Sequence, residues 1–384
     1  MKSVYLDYAA ATPMDARVTR AMQPYFSEQF YNPSATYLAA KSIAQDVQHA
    51  RASVAGILGV RPAEIIFTAG GTEANNLAIL GVAESFPASH IVTTALEHDS
   101  VRAPIARLKQ QGWTATEVKP KPDGLVDALA ITGAVTDKTV LVSVMQANNE
   151  IGTIQPIGEI TRELELIKNR RRAAGNKTPL YLHTDACQAA NYLDLHAHRL
   201  GVDLMTLNGG KIYGPKQSGV LFVASRVRLA PQVHGGGQEL NKRSGTENVA
   251  AIMGFAKALE IAQNMRREES NRLSVLQKQF IELLKSEIPQ ANVNGSLNHR
   301  LPNNVHITIP NADNERLIFA LDDLGVQCAA GSACSASKEE SSHVLRSLGL
   351  TDEDARASLR FSMGRGTTQD EIAKTVKALA KIID

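Results

Sequence analysis

Three polar clusters in the middle of the chain each follow a predicted β-strand and carry residue types suited to chemistry. Residues 68–76 read TAGGTEANN, where paired glycines lead into Thr72 and a predicted helix whose N-terminus favours an anion. Asp185 follows a second strand, and Lys211 lies between glycines after a third. An anion site, an acid for a pyridine nitrogen and a Schiff-base lysine are the groups that pyridoxal phosphate requires of a protein.

Each cluster alone also has an ordinary structural explanation. The glycine pair could form a simple turn with Thr72 as N-cap, Asp185 could cap the following helix, and Lys211 could be an exposed loop lysine. The combination favours chemistry, because ligands of open α/β sheets bind beyond the carboxyl ends of the strands. A lysine framed by glycines between apolar strands is also a candidate nucleophile.

The elements that would position these clusters form an alternating β/α pattern. The predicted strands between residues 64 and 224 are EIIFTAG, HIVTTA, TVLVSVMQ, PLYLHTDA, DLMTLNGG and GVLFVA. Several are apolar along their whole length, which is typical of a mainly parallel sheet covered by helices. From residue 247 to Pro289 the sequence predicts one long helix, followed by a compact α+β unit. The polar segment KNRRRAAGNK (168–177) favours a solvated helix end over the alternative of a binding patch.

Composition and charge exclude several classes of protein. Lys and Arg total 41 and Asp and Glu total 39, a net charge of +2 that does not favour nucleic-acid binding. No apolar run approaches the roughly 18 residues of a membrane span, and MKSVYLDYAAATP has no apolar signal region. The 3 cysteines form neither a disulfide framework nor a zinc motif. We therefore expect a cytoplasmic protein that binds neither nucleic acid nor membrane and holds no resident metal.

Ten short segments are spread over nearly the whole chain, in the order YLDYAAATP, FTAGGTEANNLAI, EHDSV, NNEIG, HTDACQ, GGKIYGPK, HGGGQE, RSGTENV, GSACSAS and SLRFSMGRGTT. In this order they resemble the signature segments of the cysteine desulfurases, in the NifS/IscS-like branch of the class-V aminotransferase family. The resemblance implies the α/β fold of fold-type I pyridoxal-phosphate transferases. Residues 14–260 would form a large domain with a mostly parallel seven-stranded sheet, and residues 1–13 and 261–384 a smaller α+β domain.

The resemblance also implies roles for individual residues. Lys211 would hold the cofactor as a Schiff base and move the Cα proton, Asp185 would pair with the pyridine nitrogen, and His98 would stack on the ring and handle protons. Arg360 would bind the substrate carboxylate, assisted by Asn32; a buried salt bridge is the alternative for Arg360. The other cofactor contacts would come from Asn149 and Gln188 at the ring hydroxyl, from Gly71, Thr72 and Asn208 at the phosphate, and from Thr246 of the second subunit of a homodimer.

Cys334 lies in AAGSACSASKEESS, a run of small and polar residues typical of a surface loop, where a buried structural cysteine would be out of place. The resemblance implies that its thiolate takes sulfur from L-cysteine as a persulfide and leaves L-alanine. The sulfur would then pass to an acceptor protein for iron–sulfur cluster assembly or tRNA thiolation, and Cys334 could transiently ligate an iron–sulfur cluster. We expect Cys187 and Cys328 to be packing residues.

The chain departs from the family pattern in two segments. The family has Ser-Gly-His before the Schiff-base lysine, whereas this chain has Asn208, Gly209 and Gly210, which predicts weaker retention of the cofactor. NPSATYLAA, which contains Asn32, replaces the usual NPSS-x-H segment.

Two alternative functions stay open. One is another reaction of the same cofactor, such as selenocysteine cleavage or amino-group transfer, which would not need Cys334. The other is a protein that binds a cofactor or a partner without turnover.

Overall fold

The structure is built around one large β-sheet with helices packed against it. The computed structural model describes residues 3–331 and 341–383, and the predicted catalytic Cys334 lies outside these described residues. The strands are β1 (Val4–Tyr5), β2 (Ile65–Thr68), β3 (His90–Thr94), β4 (Thr114–Val118), β5 (Thr139–Ser143), β6 (Tyr181–Asp185), β7 (Leu204–Asn208), β8 (Gly219–Val223), β9 (Asn292–Val293), β10 (Asn304–Thr308), β11 (Val326–Gln327) and β12 (Ser358–Ser362). The helices are α1 (Ala16–Met22), α2 (Pro24–Ser27), α3 (Leu38–Leu58), α4 (Gly71–Glu84), α5 (Asp99–Gln110), α6 (Ala128–Gly133), α7 (Ile157–Ala173), α8 (Ala197–Leu200), α9 (Gln238–Asn241), α10 (Val249–Glu287), α11 (Asn314–Asp323), α12 (His343–Ser347), α13 (Asp352–Arg356) and α14 (Gln369–Ile383). Among the described residues, no helix combines the length and the apolar character needed to cross a bilayer.

The large sheet follows the pattern expected for strands that helices cover on both faces. Within the described residues it has seven strands, in the order β2-β8-β7-β6-β5-β3-β4. β8 runs antiparallel to both its neighbours, and the remaining pairs are parallel, with Val142 of β5 beside Leu182 of β6, for example. β3, β5 and β6 are buried along their whole length. The predicted mostly parallel seven-stranded sheet is confirmed.

The parallel strands end at one edge of the sheet, and this edge collects the polar clusters. β6 ends at Asp185, and β7 ends at Asn208, just before a 3-10 turn at Gly209–Lys211. β3 leads towards His98, which precedes α5, and β2 leads into α4. Because ligands bind beyond this edge in open α/β sheets, the fold places a candidate site there.

Two hydrophobic cores share one long helix. The first core surrounds the large sheet and includes Ile91 of β3 and Phe255 of α10. The second core lies against the small sheet of β9, β10 and β12, and it includes Phe280 of α10 and Phe361 of β12. α10 runs unbroken through both cores, which confirms the long helix predicted between residue 247 and Pro289. The division of the chain into residues 14–260 and the remainder stays a prediction.

The polar segment 168–177 differs from the sequence prediction at one residue. Arg171 is only 5% exposed, although it lies in the last turn of α7. Its Nη1 donates to the carbonyl oxygens of Thr139 at 2.9 Å and Thr178 at 3.2 Å, and its Nη2 donates to that of Thr136 at 2.5 Å. The guanidinium therefore joins the start of β5 to the segment that precedes β6. The prediction of a solvated segment is therefore wrong for Arg171. The sequence could not reveal this, because the acceptors are main-chain carbonyl oxygens, which every residue has.

Candidate active site

A cleft at the carboxyl edge of the large sheet collects most of the predicted site residues. The predicted residues that line it are Gly71, Thr72, His98, Asn149, Asp185, Gln188, Asn208, Lys211 and Arg360. They are far apart in sequence, and the sheet brings most of them together because the strands that precede them are neighbours.

The N-terminus of α4 forms the part of the cleft that suits a phosphate. The N-cap of α4 is Gly70, with a φ angle of 127°, and as a glycine it has no side chain that could cap the helix. A Cβ atom on Gly71 would lie 2.8 Å from Cys187 Sγ and 3.3 Å from Asn208 Cβ, so the close approach requires glycine. Thr72 is the second helical residue, and the alternative that it is the N-cap is wrong. Free N–H groups and the helix dipole make this end of α4 a favourable place for an anion.

Asp185 is a buried acid held by two donors. Its Oδ2 accepts a hydrogen bond from Asn75 Nδ2 at 2.7 Å, and its Oδ1 accepts one from the backbone N–H of Cys187 at 3.0 Å. The residue is 7% exposed. The carboxylate thus caps a turn at Cys187 rather than a helix, and its remaining lone pairs are left for a ligand in the cleft.

Lys211 reaches the cleft from the 3-10 turn after β7, and it is half-buried rather than exposed. Its Nζ donates to the carbonyl oxygens of Ala9 at 2.9 Å and Ala10 at 2.5 Å. Gln188 Nε2 donates to the same Ala9 carbonyl at 3.0 Å. The sequence pattern did not identify Ala9 and Ala10 as site residues, because they act through their main chain and their side chains carry no chemical signal.

His98 caps the N-terminus of α5 and belongs to a hydrogen-bonded array. Its Nδ1 accepts a hydrogen bond from the backbone N–H of Ser100 at 3.1 Å and lies 2.8 Å from Ser100 Oγ. Ser100 Oγ also accepts from Asn75 Nδ2 at 2.8 Å. Asn75 and Ser100 lie in the TEANN and EHDSV segments that carry the resemblance, but their residue types gave no separate signal of a role in the site.

Arg360 lies in the middle of β12, with its guanidinium in the wall of the cleft. It is 1% exposed, its Nη2 forms an ion pair with Asp7 Oδ1 at 2.6 Å, and its Nη1 donates to the carbonyl of Asn149 at 3.1 Å. Within the described parts of the chain, its Nε has no hydrogen-bond partner. Arg360 therefore both lines the cleft and forms the buried salt bridge that was its alternative. The only sequence signal for Asp7 was its place in YLDYAAATP.

Two predicted site residues lie outside the cleft of a single chain. Asn32 is exposed, and its Oδ1 accepts a hydrogen bond from the backbone N–H of Ser34 at 2.9 Å. Thr246 is also exposed and lines a separate cavity together with Arg243 and Gln217. The roles of Asn32 and Thr246 stay predictions.

Buried titratable groups near the cleft differ strongly in their environments. Burial, helped by the charge of Asp185, raises the pKa of the Cys187 thiol well above its usual range. Cys187 lines the cleft, and its role as a packing residue stays a prediction. Burial also raises the pKa of Cys328 to about 12, and Cys328 packs against the second core. Burial lowers the pKa of His183 to about 4 and raises the pKa of Glu97 to about 8. Near neutral pH, His183 is therefore uncharged, and Glu97 is protonated in most molecules.

The donors and acceptors of the cleft fit pyridoxal phosphate. The uncapped N-terminus of α4, with glycine at the point of closest approach, suits the phosphate. Asp185 suits a protonated pyridine nitrogen, and the amino group of Lys211 suits the aldehyde. The groups required at both ends of the cofactor and at its reactive carbon are thus present in one cleft.

The fold and the site together define an α/β enzyme of the aminotransferase type. The family model for aminotransferase class-V matches residues 4–375, and the chain belongs to this family. The chain is 39% identical over 385 residues to the cysteine desulfurase IscS of Dictyoglomus turgidum, covering 100% of this chain and 95% of that one. It is 40% identical over 386 residues to the cysteine desulfurase IscS of Methanosarcina thermophila, covering 100% and 92%. A solved NifS-like protein superposes with a TM-score of 0.90 at 30% identity, covering 99% of each chain. The resemblance to the NifS/IscS-like cysteine desulfurase branch is confirmed.

Proposed function

We propose that this cysteine desulfurase uses pyridoxal phosphate to convert L-cysteine to L-alanine and transfers the sulfur to Cys334 as a persulfide. The observation that carries the proposal is the placement of Lys211, Asp185 and Arg360 around one cleft. These residues supply an amine for the cofactor aldehyde, an acid for its ring nitrogen and a cation for the substrate carboxylate. Full-length similarity to relatives named cysteine desulfurase supports the same activity.

The residues around the cleft would divide the binding of the cofactor among them. When bound, pyridoxal phosphate supplies an electron sink that stabilises negative charge at Cα of an amino acid. Asp185 would hold the protonated pyridine nitrogen, and Lys211 Nζ would bind the aldehyde carbon. The other contacts would come from Gly71, Thr72 and Asn208 at the phosphate and from His98, Asn149 and Gln188 around the ring.

Three residues of the chain would act on the substrate. Arg360 would bind the carboxylate of L-cysteine through its guanidinium, whose Nε has no hydrogen-bond partner among the described residues. Lys211 Nζ would take the Cα proton, and the carbonyls of residues 9 and 10 keep this amino group in the cleft. The Cys334 thiolate would attack the substrate sulfur, so that an S–S bond forms as the Cβ–S bond breaks. One L-cysteine and one thiol then give one L-alanine and one persulfide, and no external oxidant is needed.

The activity is tested by measuring L-alanine and sulfide released from L-cysteine in the presence of a reductant. Wild type is compared with Cys334→Ala, and Cys328→Ala serves as the matched cysteine control. We expect both products from wild type and from Cys328→Ala, and neither from Cys334→Ala. Equal L-alanine from Cys334→Ala and wild type would show that the cleft performs another reaction of the same cofactor, and the sulfur step assigned to Cys334 would be wrong.

The finer parts of the proposal concern the partners. The persulfide sulfur would pass to an iron–sulfur scaffold protein or to a tRNA-thiolation protein, and transfer of labelled sulfur to each purified acceptor distinguishes them. We also propose a cytoplasmic homodimer in which Thr246 completes the partner's phosphate site. If so, mixing inactive Lys211→Ala and weakened Thr246→Ala subunits restores activity, because one of the two mixed sites is intact. Failure of exchanged subunits to recover activity would contradict a shared site.

A further inference from the structure

Four polar side chains form one continuous hydrogen-bonded array beside the cleft. Asn75 Nδ2 lies 2.7 Å from Asp185 Oδ2 and 2.8 Å from Ser100 Oγ, and Ser100 Oγ lies 2.8 Å from His98 Nδ1. Asn75 is 1% exposed and Ser100 is 7% exposed, so little water competes for these bonds. The array connects the acid proposed for the ring nitrogen with the histidine proposed to handle protons.

The direction of the hydrogen bonds follows first from the Asp185 end. A carboxylate only accepts hydrogen bonds, so the Asn75 atom that contacts Asp185 must be the amide nitrogen. The second hydrogen of this nitrogen points to Ser100 Oγ, which therefore acts as an acceptor from Asn75. The hydroxyl hydrogen of Ser100 is then available for the neighbouring Nδ1 of His98.

The His98 end gives the same direction independently. Nδ1 of His98 accepts the backbone N–H of Ser100 at 3.1 Å, and a ring nitrogen that accepts cannot carry a proton at the same time. Ser100 therefore offers both its N–H and its O–H to the same atom. In a neutral ring the proton must then lie on Nε2, the nitrogen that the array leaves for a ligand in the cleft.

We propose that Asn75 and Ser100 are positioning residues. They hold His98 in its Nε2–H form and fix the position of its ring relative to Asp185. The assignment rests on the proposed function, since it gives His98 and Asp185 their roles toward the cofactor. Asn75 and Ser100 touch neither reacting atom and act through the two residues that they join. The side-chain amide of Asn75 thus binds Asp185 directly and, through Ser100, also influences the orientation of the His98 ring.

Asn75 shows a feature that makes its substitution informative. Its Oδ1 is buried and has no hydrogen-bond partner among the described residues, so the side chain takes part in the array through its Nδ2 alone. Asn75→Leu removes this unpaired acceptor and has nearly the same size. We therefore expect the variant to fold, and its loss of function to come from the broken array.

The test uses the holoenzyme labelled with ¹⁵N-histidine, with the His98 signals assigned by their loss in His98→Gln. Ser100→Ala keeps the backbone N–H bond to Nδ1 but loses the hydroxyl, and Ser100→Thr keeps both. The control is Ser358→Ala, which removes a buried hydroxyl of β12 that donates to the Asp354 carbonyl at 2.7 Å and does not line the cleft. We expect the Nδ1 resonance in Ser100→Ala to move towards that of an unbonded ring nitrogen. We also expect kcat to fall by about tenfold at unchanged KM.

The conservative variants decide between positioning and simple structure. Ser100→Thr and Ser358→Ala are expected to keep both the wild-type resonance and the wild-type kcat. Asn75→Leu is expected to shift the resonance and also the visible absorbance of the bound cofactor, because Asp185 loses a donor. The proposal is overturned if Ser100→Ala leaves the Nδ1 resonance in place, if Ser100→Thr behaves like Ser100→Ala, or if Asn75→Leu changes neither signal. A wild type that releases no L-alanine would refute the proposed function instead, and the NMR measurement would still decide the array.

Discussion

Arg360 and Asp7 form an ion pair of 2.6 Å between two positions that lie 353 residues apart in the sequence. The arginine is 1% exposed, and a buried guanidinium is stable only when a counter-charge or hydrogen-bond acceptors compensate for its lost hydration. Asp7 supplies this charge from the N-terminal segment, whose residues 9 and 10 also bind the amino group of Lys211. A carboxylate bound at Arg360 would therefore share the guanidinium with Asp7.

Asp7→Asn is expected to lower the free energy of unfolding by roughly 3–5 kcal/mol, because the buried charge of Arg360 loses its partner. L-Alanine should then stabilise the variant more than it stabilises wild type, since its carboxylate replaces the missing anion. Thermal unfolding of the holoenzyme with and without L-alanine measures both effects. Asp15→Asn is the control, because Asp15 pairs with Arg365 at 3.0 Å and does not line the cleft. Equal stabilisation of Asp7→Asn and wild type by L-alanine would argue against this interpretation.

Gly210→His is expected to increase the affinity for pyridoxal phosphate by about tenfold, as one added charge-assisted hydrogen bond would. A Cβ atom on Gly210 would lie 3.4 Å from Asn208 Oδ1 and 3.7 Å from Lys216 Cγ, which is ordinary contact, so a side chain fits at this position. Cofactor release during dialysis, followed by visible absorbance, measures the change. Gly210→Ala adds the Cβ atom alone and should match wild type. Unchanged retention in Gly210→His would show that the glycine does not weaken cofactor binding.

Glu97→Gln is expected to change how stability depends on pH. Burial raises the pKa of Glu97 to about 8, whereas a glutamate in an unfolded chain titrates near pH ~4.3. Between these values the folded protein binds one proton more than the unfolded chain, so stability falls as pH rises, by up to about 1.4 kcal/mol per pH unit. Glutamine does not titrate and removes this decline. Urea unfolding of both proteins across this pH range measures it, and a difference between them that is constant with pH would contradict the assignment.

Arg171→Met is expected to lower the free energy of unfolding by about 2–4 kcal/mol, because several buried carbonyl oxygens lose their donor. Arg172→Ala, one residue further along α7, changes an exposed side chain and should stay within about 0.5 kcal/mol of wild type. Denaturant unfolding compares the two variants. Similar free energies of unfolding for the two variants would show that the buried guanidinium contributes no more to stability than the exposed one.

The amino-acid sequence by itself determined the main features of this protein. Apolar runs predicted the parallel sheet, an unbroken period predicted α10, and the order of motifs predicted the family and a cleft containing Lys211, Asp185 and His98. These features could be predicted because hydrophobic periodicity and motif residues are local properties of the chain.

Only the tertiary structure decided which groups hold the site residues in place. It paired Asp7 with Arg360, placed the carbonyls of Ala9 and Ala10 against Lys211, joined Asn75 to Ser100 and buried Arg171. Most of these contacts join segments that are distant in sequence, and several use main-chain atoms that every residue possesses. The residue types therefore do not predict these contacts. The contacts form only when the strands and the N-terminal segment pack together.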